Sequence, residues 1–596
     1  MRNYIGEFIF KKAQLSDFNY KIRHDKLRVA INSDVADIRY ELFDSEQEFL
    51  LLDGELFTGE SVITSLDYIR KILSNVIDGK YEDLSKLNGS FNIFFYRIQK
   101  DELYIITDRF RTRPLYYYQN SSSIIFSNEI RNIRPKNFVT TIDKNSVIEF
   151  FRFQRIFGNK TFVKGINTFK YATMIKFSNS QVSEYKYWTY RHNEDYDLSF
   201  GTHLDKISRI VVDIVNEKTS DGLNYGLLLS GGLDSRCVLA GDLENKIQNV
   251  YSIGDFENNE CLIAQEVSSK LNRNYQFIQR EKGYYKQIVN KSISIGSGMY
   301  NYLHSHYLKY IINKIQREND VIFNGSLIEQ LWQGTKFIHK SFSILGNQIK
   351  LPIIEKKSYT EVFETIYNNY PHRLNHVEEL FNEVNADDLK RICIDGIKSQ
   401  LSENFGDDVY SQQEAIDFLA CDSFGRYSSH LNQLCLNYNI RYRTILDNNL
   451  VDELLKIPIK YRFNGRFLRK LIIHLNKELG NIKVASSNLK LKRSRFFHWV
   501  LALTISVKKK IQRNKQVYSP YSSWPNYSVM LIEDDVLQRM IYSNLQKLQE
   551  MSFKLFDYEM INNMLEKHIQ GKKDNGILLF QFLTFSEWYI NFVCDR

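Results

Sequence analysis

The chain has 596 residues, of which 43% are hydrophobic and 25% charged, enough for two or three domains with their own cores. This composition excludes wholesale disorder, and a formal net charge of +9 is too small and diffuse for this length to indicate a nucleic-acid-binding protein. The absence of obvious cysteine pairs favours a reducing compartment. The front third carries no thiol and therefore no cysteine chemistry, because the six cysteines are Cys237, Cys261, Cys393, Cys421, Cys435 and Cys594.

The distribution of apolar residues along the chain predicts neither a secretory signal nor a membrane-spanning helix. The first residues, MRNYIGEFIFKK, lack the apolar core of a secretory signal. No window reaches the roughly 18 apolar residues that a membrane-spanning helix needs. We therefore expect a cytoplasmic protein without a membrane span.

Residues 1–190 form the first predicted domain. Short apolar or alternating runs such as EFLLLDGELF, SFNIFFYRI and ELYIITD are separated by Gly, Asn, Ser and Asp, which is typical of antiparallel strands. A helical pattern interrupts them near Ser65 to Asn75. The arrangement predicts an α+β domain that ends in the polar, aromatic stretch from Tyr185 to Phe200.

Residues 200–596 form the second predicted domain, in which strands and helices alternate. The apolar runs YGLLLS, NVYSIGD and YQFIQR predict strands, and the intervening helices are predicted at His203–Lys218, Ser235–Leu243 and Asn259–Leu271. This alternation predicts an α/β domain with a parallel, doubly wound sheet. The pattern from about 375 to 596 is mostly helical and predicts a helical extension.

The segment LLLSGGLDSR, residues 227–236, is the sharpest motif in the chain. The pattern predicts a buried strand that ends at Ser230, a tight turn at the two glycines and a helix that begins near Asp234. Such a turn presents backbone N–H groups and the positive end of a helix to an anion. Ser230 and Ser235 add hydroxyl donors. A carboxylate at Asp234 beside a phosphate indicates a bridging divalent cation. The structural alternative is a Gly-Gly turn with Asp234 as the helix N-cap.

SGGLDS resembles the pyrophosphate-binding loop of the ATP pyrophosphatases, and the surrounding chain resembles the asparagine synthetases. The resemblance implies that ATP activates a carboxylate as an acyl-adenylate with release of pyrophosphate, after which an amine nitrogen forms the amide. It implies ATP and Mg²⁺ as cofactors. NVYSIGD resembles the strand whose backbone reads adenine. The implied ATP and pyrophosphate site comprises Leu229, Ser230, Gly231, Gly232, Leu233, Asp234, Ser235, Ile253, Gly254, Asn324 and Gly325.

The segment VIFNGSLIEQLWQG, residues 321–334, falls where the family has a strand followed by SGEGSDE and a second metal-binding Asp. Gly325 is retained, but the acidic pair is replaced by Glu329 and Gln330. The resemblance implies Asp234 and Glu329 as metal ligands. For Glu329, a plain carboxylate at a helix start is an equally supported interpretation.

Two further matches lie toward the end of the chain. YRTILD resembles the family's R-x-P-F-L-D segment, with Asp447 in the place of its Asp. The family also has a later basic residue that stabilises the charge developing during amide formation. Its candidates here are Lys490 and Lys492, with Arg493 a third, and Asp234 completes the expected catalytic set. In so basic a region, a solvated surface is the competing interpretation.

The front domain resembles the glutaminase domain of the same enzymes, an Ntn-hydrolase-type sandwich. LNGSFNIFFY, DRFRTRPLYYY and FSNEIRNI match its segments, but Arg2 stands where the family has its nucleophilic cysteine. To hydrolyse glutamine, such a domain needs an N-terminal cysteine whose thiol is the nucleophile and whose α-amino group is the base. In active members Asn88, Gly89 and Asp108 would hold glutamine and its oxyanion. We expect a degenerate, inactive site here, as in the β-lactam synthetases and lasso-peptide cyclases.

These observations predict an ATP- and Mg²⁺-dependent ligase that joins an adenylated carboxylate to a substrate amine or to ammonia, giving a lactam, macrolactam or amide. The substrate is expected to be a small-molecule or peptide carboxylate, and no nucleic acid is expected as a partner. One alternative is an asparagine synthetase or sugar-acid amidotransferase that receives ammonia from elsewhere. Another is a non-catalytic binding or scaffold relative. Partner proteins of a biosynthetic cluster and a homodimer are left open.

Overall fold

The computed structural model describes residues 3–9, 22–24, 26–32, 40–59, 61–62, 66–133, 138–178, 181–325, 339–344, 347–352, 359–370, 373–462, 465–485, 487–494 and 523–594. The sequence predictions for Arg2, Glu329 and the altered segment 326–330 lie outside these residues.

The front of the chain forms two six-stranded antiparallel sheets, in the orders β10-β8-β9-β1-β3-β2 and β12-β11-β7-β6-β5-β4. The strands are β1 Asn3–Ile9, β2 Ile22–Arg23, β3 Leu27–Asn32, β4 Tyr40–Asp44, β5 Glu48–Phe57, β6 Asn88–Arg97, β7 Glu102–Thr107, β8 Tyr116–Gln119, β9 Ser123–Ser127, β10 Ile166–Thr168, β11 Thr173–Ser178 and β12 Gln181–Lys186. Two helices accompany them, α1 Leu66–Ile77 and α2 Lys144–Phe153.

The two sheets pack face to face, and strand β5 shows why. Its sequence EFLLLDGELF is apolar on both faces, and nearly every residue is buried. Phe49 and Leu51 enter the core between the sheets, where they meet Phe8 of β1. Leu50 and Leu52 point the other way and pack under α1. The result is a sandwich with one helix on its outer face, as the α+β prediction requires.

The second half is built on a five-stranded parallel sheet in the order β15-β14-β13-β16-β19. Its strands are β13 Tyr225–Leu228, β14 Ile247–Gly254, β15 Asn274–Gln279, β16 Val321–Asn324 and β19 Arg441–Arg443. The helices before and between them are α3 Phe200–Glu217, α4 Asp234–Gly241, α5 Asn259–Lys270, α6 Tyr284–Ile295 and α7 Tyr310–Gln316. The parallel α/β prediction is confirmed, and the first three predicted helices differ from the observed ones by three residues at most.

The rest is mostly helical, as predicted: α8 Tyr359–Asn369, α9 Ala386–Phe405, α10 Gln412–Leu436, α11 Asn448–Leu454, α12 Ile459–Arg462, α13 Arg466–Leu475, α14 Tyr527–Glu533, α15 Asp535–Glu550, α16 Tyr558–Ile569 and α17 Gly576–Cys594. A hairpin of β17 His339–Ile344 and β18 Asn347–Pro352 precedes these helices, and a second, of β20 Lys483–Val484 and β21 Leu489–Lys490, lies between α13 and α14. Within the described ranges, none of the helices is both long and apolar enough to cross a membrane.

Candidate active site

The strand order places a crevice at the centre of the parallel sheet. The chain runs outward from β13 to β14 and β15, then returns to β16 on the other side of β13. In open α/β sheets, ligands bind at the carboxyl ends of the strands where the chain changes direction in this way. Here that point lies between the ends of β13 and β16, where Leu228 pairs with Asn324. The SGGLDS loop and Gly325 begin directly beyond this pair.

The loop from Ser230 to Asp234 turns the chain from β13 into α4. Ser235 is buried, and its Oγ accepts a hydrogen bond from the backbone N–H of Ser230 at 3.3 Å, while Ser230 Oγ accepts from Gly232 N–H at 3.2 Å. The N-cap of α4 is Leu233, which makes no side-chain capping bond. Asp234 therefore lies in the first helical turn, one residue after the N-cap position that the structural alternative gave it. A helix N-terminus that follows a glycine-rich turn in this way is suited to binding an anion, and this role of the loop stays a prediction.

Two glycines let distant segments close on this loop. A Cβ at Gly325 would lie 2.3 Å from the backbone nitrogen of Ser235, so only glycine allows the end of β16 to rest on the first peptide of α4. A Cβ at Gly231 would lie 2.9 Å from Cβ of Ala485 and 3.0 Å from Cα of Glu260. The loop is thus enclosed by β16, the start of α5 and the residue after β20.

The hairpin of β20 and β21 carries the basic residues of the site. Arg236 is fully buried and donates from Nη2 to the carbonyl of Lys483 at 2.8 Å and to that of Gly231 at 3.5 Å. It ties the hairpin to the loop, and burial lowers its pKa to about 10. Because side chains alternate along a strand, exposed Lys483 lies on the same side of the hairpin as Ala485, which is the side that contacts Gly231. Lys490 pairs with Lys483 across the hairpin.

Lys490 and Lys492 both lie exposed on or just after this hairpin, and Lys492 N–H donates to the carbonyl of Gly480 at 2.9 Å. Their catalytic role stays a prediction. Lys483, Arg236 and Glu260 are neighbours of the loop that sequence reasoning did not select. Arg236 directly follows the motif, so its position in the first turn of α4 was available as a signal.

The strand end predicted to read adenine lies beside the loop. Leu229 N–H donates to the carbonyl of Tyr251 at 2.8 Å, and the Leu229 carbonyl accepts from Ser252 Oγ at 2.7 Å, which fixes β13 against β14. Ile253 is half-buried and Gly254 is buried at the end of β14. The Gly254 carbonyl accepts the N–H of Arg280 at 2.8 Å. Leu229 and Leu233 are buried, so their side chains pack rather than reach solvent.

The donor set at the loop fits Mg²⁺ bound together with phosphate. Asp234 is half-buried in the first turn of α4, and the hydroxyls of Ser230 and Ser235, which flank it in the sequence, lie 3.3 Å apart. Mg²⁺ is usually held by one or two carboxylates plus substrate phosphates, not by an all-protein cage. No cluster of three or more His, Cys, Asp or Glu able to hold a metal occurs in the part of the chain that the structure describes.

In the front domain, Asp108 is already saturated with hydrogen bonds. Its carboxylate is buried and accepts from the backbone N–H of Phe110 at 2.8 Å, from that of Phe91 at 3.2 Å, and from the N–H and Oγ of Thr112, the latter at 2.7 Å. Burial raises the pKa of Asp108. All these donors are local, so the carboxylate braces the turn after β7 and has no side exposed to a ligand.

Asn88 is likewise committed, in this case to the second domain. Its Nδ2 donates to the carboxylate of Asp447, and its Oδ1 accepts the N–H of Asn448 at 3.0 Å. Asp447 is the N-cap of α11. Gly89 has φ 150° and presses on β5, where a Cβ would lie 2.2 Å from the carbonyl of Glu55. Of the three residues predicted to form a degenerate site, Asn88 joins the two domains, whereas Gly89 and Asp108 make contacts within the front domain.

These contacts lead to an expectation for Arg2→Cys. Restoring the thiol is expected not to restore glutaminase activity, because Asp108 and Asn88 remain engaged by the protein's own groups. Glutamate release from glutamine by the purified variant would be compared with that of Arg2→Ala. Release above this control would show that the missing thiol is the only defect.

The front domain docks at the same edge of the parallel sheet as the loop. Arg443, at the end of β19, is bound by Glu55 at 2.6 Å and by Asp221 at 2.6 Å. Lys218, at the end of α3, donates to the carbonyls of Thr444 at 3.0 Å and Leu446 at 2.5 Å. Burial lowers the pKa of Lys218 to about 8. Because β19 is parallel to β13, the segment 443–447 and the loop share one edge of the sheet.

A second charged contact joins the domains through Asp422 of α10. This buried carboxylate is bound by three guanidinium groups: Arg155 at 2.5 Å, Arg426 at 3.0 Å and Arg111. Arg111 and Arg155 come from the front domain. Although burial alone would raise it, the three arginines hold the pKa of Asp422 well below its ordinary value of 3.8. This cluster fixes the domains to each other as one body.

Comparison with known proteins identifies the family of the chain. A glutamine amidotransferase domain model matches residues 72–188, and an asparagine synthase model matches residues 206–590, more than half of the chain. The two matched models, an amidotransferase domain followed by a synthase domain with a parallel sheet, define the class of protein. The chain belongs to the asparagine synthase family.

Individual relatives are distant. Asparagine synthetase [glutamine-hydrolyzing] 3 of Bacillus subtilis is 26% identical over 198 residues, 32% of either chain. A Methanocaldococcus jannaschii protein also named as an asparagine synthetase is 24% identical over 168 residues, 27% of this chain and 32% of its own. The matches thus span about a third of these relatives.

Solved structures give weaker similarity. An allosteric regulatory enzyme of purine biosynthesis has 8% identity and a TM-score of 0.21, covering 46% of this chain and 74% of its own. NMN synthetase from Francisella tularensis has 14% identity and a TM-score of 0.19, covering 39% of this chain and 97% of its own.

Proposed function

We propose that this protein is an ATP-dependent carbon–nitrogen ligase that adenylates a carboxylate, releases pyrophosphate and joins the acyl group to an amine. The observation that carries the proposal is the loop at Ser230–Asp234, which places the N-terminus of α4 at the switch point of the sheet. Membership of the asparagine synthase family supports the same chemistry.

In this proposal the loop binds the phosphates that leave as pyrophosphate. The N-terminal N–H groups of α4 and the Ser230 hydroxyl hold the leaving group, and Lys483 and Lys490 on the adjoining hairpin offset its negative charge. Asp234 holds Mg²⁺ against the phosphates. When bound, the ion neutralises phosphate charge and polarises the scissile bond. Ile253 and Gly254 receive the adenine at the end of β14.

The nitrogen donor follows from the state of the front domain. Arg2 replaces the nucleophile, Asp108 has no side exposed to a ligand, and Asn88 is engaged by Asp447. Glutamine is therefore not the source of nitrogen within this chain. We propose a substrate amine as the attacking group, which gives a lactam, macrolactam or peptide-type product, with free ammonia as the alternative donor. The expected site of action is the cytoplasm.

Carboxylate-dependent exchange of labelled pyrophosphate into ATP tests the first half-reaction without knowledge of the amine. The full chain would be incubated with Mg²⁺, ATP and pools of amino acids, sugar acids and short peptides, and we expect exchange with at least one pool. A carboxylate that supports exchange is then supplied with ammonium or left with its own amine, and the product mass identifies the donor.

Amide formed only with added ammonium would favour the asparagine-synthetase or sugar-acid alternative. The ligase proposal fails if the protein neither binds ATP nor exchanges pyrophosphate with any pool. That result would instead favour the non-catalytic relative.

A further inference from the structure

Ser523 and Trp524 belong to no motif identified in the sequence, yet they are hydrogen-bonded to or packed against residues of the predicted nucleotide site. Ser523 uses all its polar groups for this. Its N–H donates to Glu260 Oε2 at 3.1 Å, its Oγ accepts from Asn258 Nδ2 at 3.2 Å, and its carbonyl accepts from Arg280 Nη2 at 2.9 Å. Such a set of partners fixes both the position and the direction of the chain at this residue.

Each partner of Ser523 also touches the site. Glu260 lies against the phosphate loop, its Cα 3.0 Å from the Cβ position at Gly231. Asn258 is the N-cap of α5, and its Nδ2 lies 3.5 Å from the Cβ position at Gly254. Arg280 donates its backbone N–H to the Gly254 carbonyl at 2.8 Å. Ser523 is therefore one contact away from both the phosphate loop and the adenine strand.

The next residue, Trp524, is held in place yet remains 47% exposed. Its indole lies against the buried His306 ring, with ring centroids 3.7 Å apart, and the Arg280 guanidinium lies 5.7 Å from the indole centroid. Arg280 itself is buried and paired with Asp255 at 2.7 Å. A large aromatic surface is thus fixed beside the strand end while keeping almost half of its area open.

We propose that the indole of Trp524 is a wall of the nucleotide pocket and packs against the adenosine part of ATP. The proposal rests on the proposed function, since it needs ATP at the ends of β13 and β14. Stacking of a nucleobase on an aromatic side chain does not depend on the identity of the base, because every base has a π-face. Ser523, Arg280 and His306 act as positioning residues that set the plane of the indole.

Binding measurements on the full chain separate the adenosine contact from the phosphate contact. MgATP and inorganic pyrophosphate would be titrated into wild type, Trp524→Ala and Trp524→Phe, with Trp188→Phe as a control in the front domain. We expect Trp524→Ala to weaken ATP binding about 5- to 100-fold, the range for loss of one stacked base. Pyrophosphate binding is expected to stay unchanged, and Trp524→Phe is expected to retain most of the ATP affinity.

Intrinsic fluorescence gives a second readout. The chain has five tryptophans, and an ATP-dependent change is expected to disappear in Trp524→Phe but to persist in Trp188→Phe. Unchanged ATP affinity in Trp524→Ala would overturn the proposal, and so would equal loss of ATP and pyrophosphate binding at an unchanged melting temperature. If the wild-type protein binds neither MgATP nor pyrophosphate, the proposed ATP site is wrong, and the Trp524 proposal fails with it.

Discussion

Asp234→Ala is expected to slow carboxylate-dependent pyrophosphate exchange by about 10²- to 10³-fold, because it removes the only carboxylate of the loop from Leu229 to Ser235. A metal that stabilises transferring phosphates is worth several kcal/mol, and about 1.4 kcal/mol corresponds to a tenfold change in rate. The fold should survive, since a carboxylate in the first turn of a helix contributes only about 0.3–1 kcal/mol to stability.

The matched control is Asp213→Ala, which removes an exposed carboxylate from α3 outside the loop. It should exchange pyrophosphate at the wild-type rate, and both variants should melt within a few degrees of the parent. Raising the Mg²⁺ concentration should partly restore Asp234→Asn, which retains one oxygen ligand, and should not restore Asp234→Ala. Exchange by Asp234→Ala above a tenth of the wild-type rate would contradict the role given to this carboxylate.

Asp422→Asn is expected to lower the free energy of unfolding by about 3–5 kcal/mol at pH 7, the usual cost of breaking a buried ion pair. The variant leaves Arg111, Arg155 and Arg426 packed together without their shared anion. The readout is the denaturant midpoint of the full chain. Asp452→Asn is the matched control, because Asp452 also pairs with a front-domain arginine, Arg109 at 2.7 Å, but its side chain is 42% exposed. It should cost about 1 kcal/mol or less.

The difference in the free energy of unfolding between wild type and Asp422→Asn should depend on pH with a definite sign. The pKa of Asp422 lies far below its ordinary 3.8 in the folded protein, so its contribution is fully present above about pH 4 and is lost as the pH falls toward the folded value. The gap between wild type and Asp422→Asn should therefore be widest near neutrality and should narrow below pH 4. A gap that stays constant from pH 7 to pH 3 would contradict the charged role of Asp422.

The local parts of the site were predictable from the sequence. The apolar run before Ser230, the paired glycines and the short helix after them identify a strand, a tight turn and a helix start within about 15 residues, as hydrophobic period and glycine chemistry dictate. The alternation that followed also indicated the parallel sheet. The structural alternative placed the N-cap at Asp234, whereas the structure has it at Leu233. A difference of one residue is the usual uncertainty at a helix end.

The contacts that enclose the site were not predictable. Asn88 and Asp447 are 359 residues apart, and neither local propensity nor charge pattern relates them. The same holds for Gly231 with Ala485, and for Ser523 with Arg280. Asp108 shows the other limit: the sequence predicts that it no longer holds glutamine, but its donors, the N–H groups of Phe91, Phe110 and Thr112 and the hydroxyl of Thr112, are seen only in the folded turn.

The packing of Gly231 and Gly325 has a consequence for the order in which the molecule matures. The phosphate loop is complete in sequence by residue 235, yet its shape depends on Gly325, 90 positions later, and on Ala485, 250 positions later. Contacts so far apart in the chain form late, because their loop-closure entropy must be offset first. A nascent chain would therefore complete the proposed nucleotide site only after residue 485 has left the ribosome, long after the loop itself has been made.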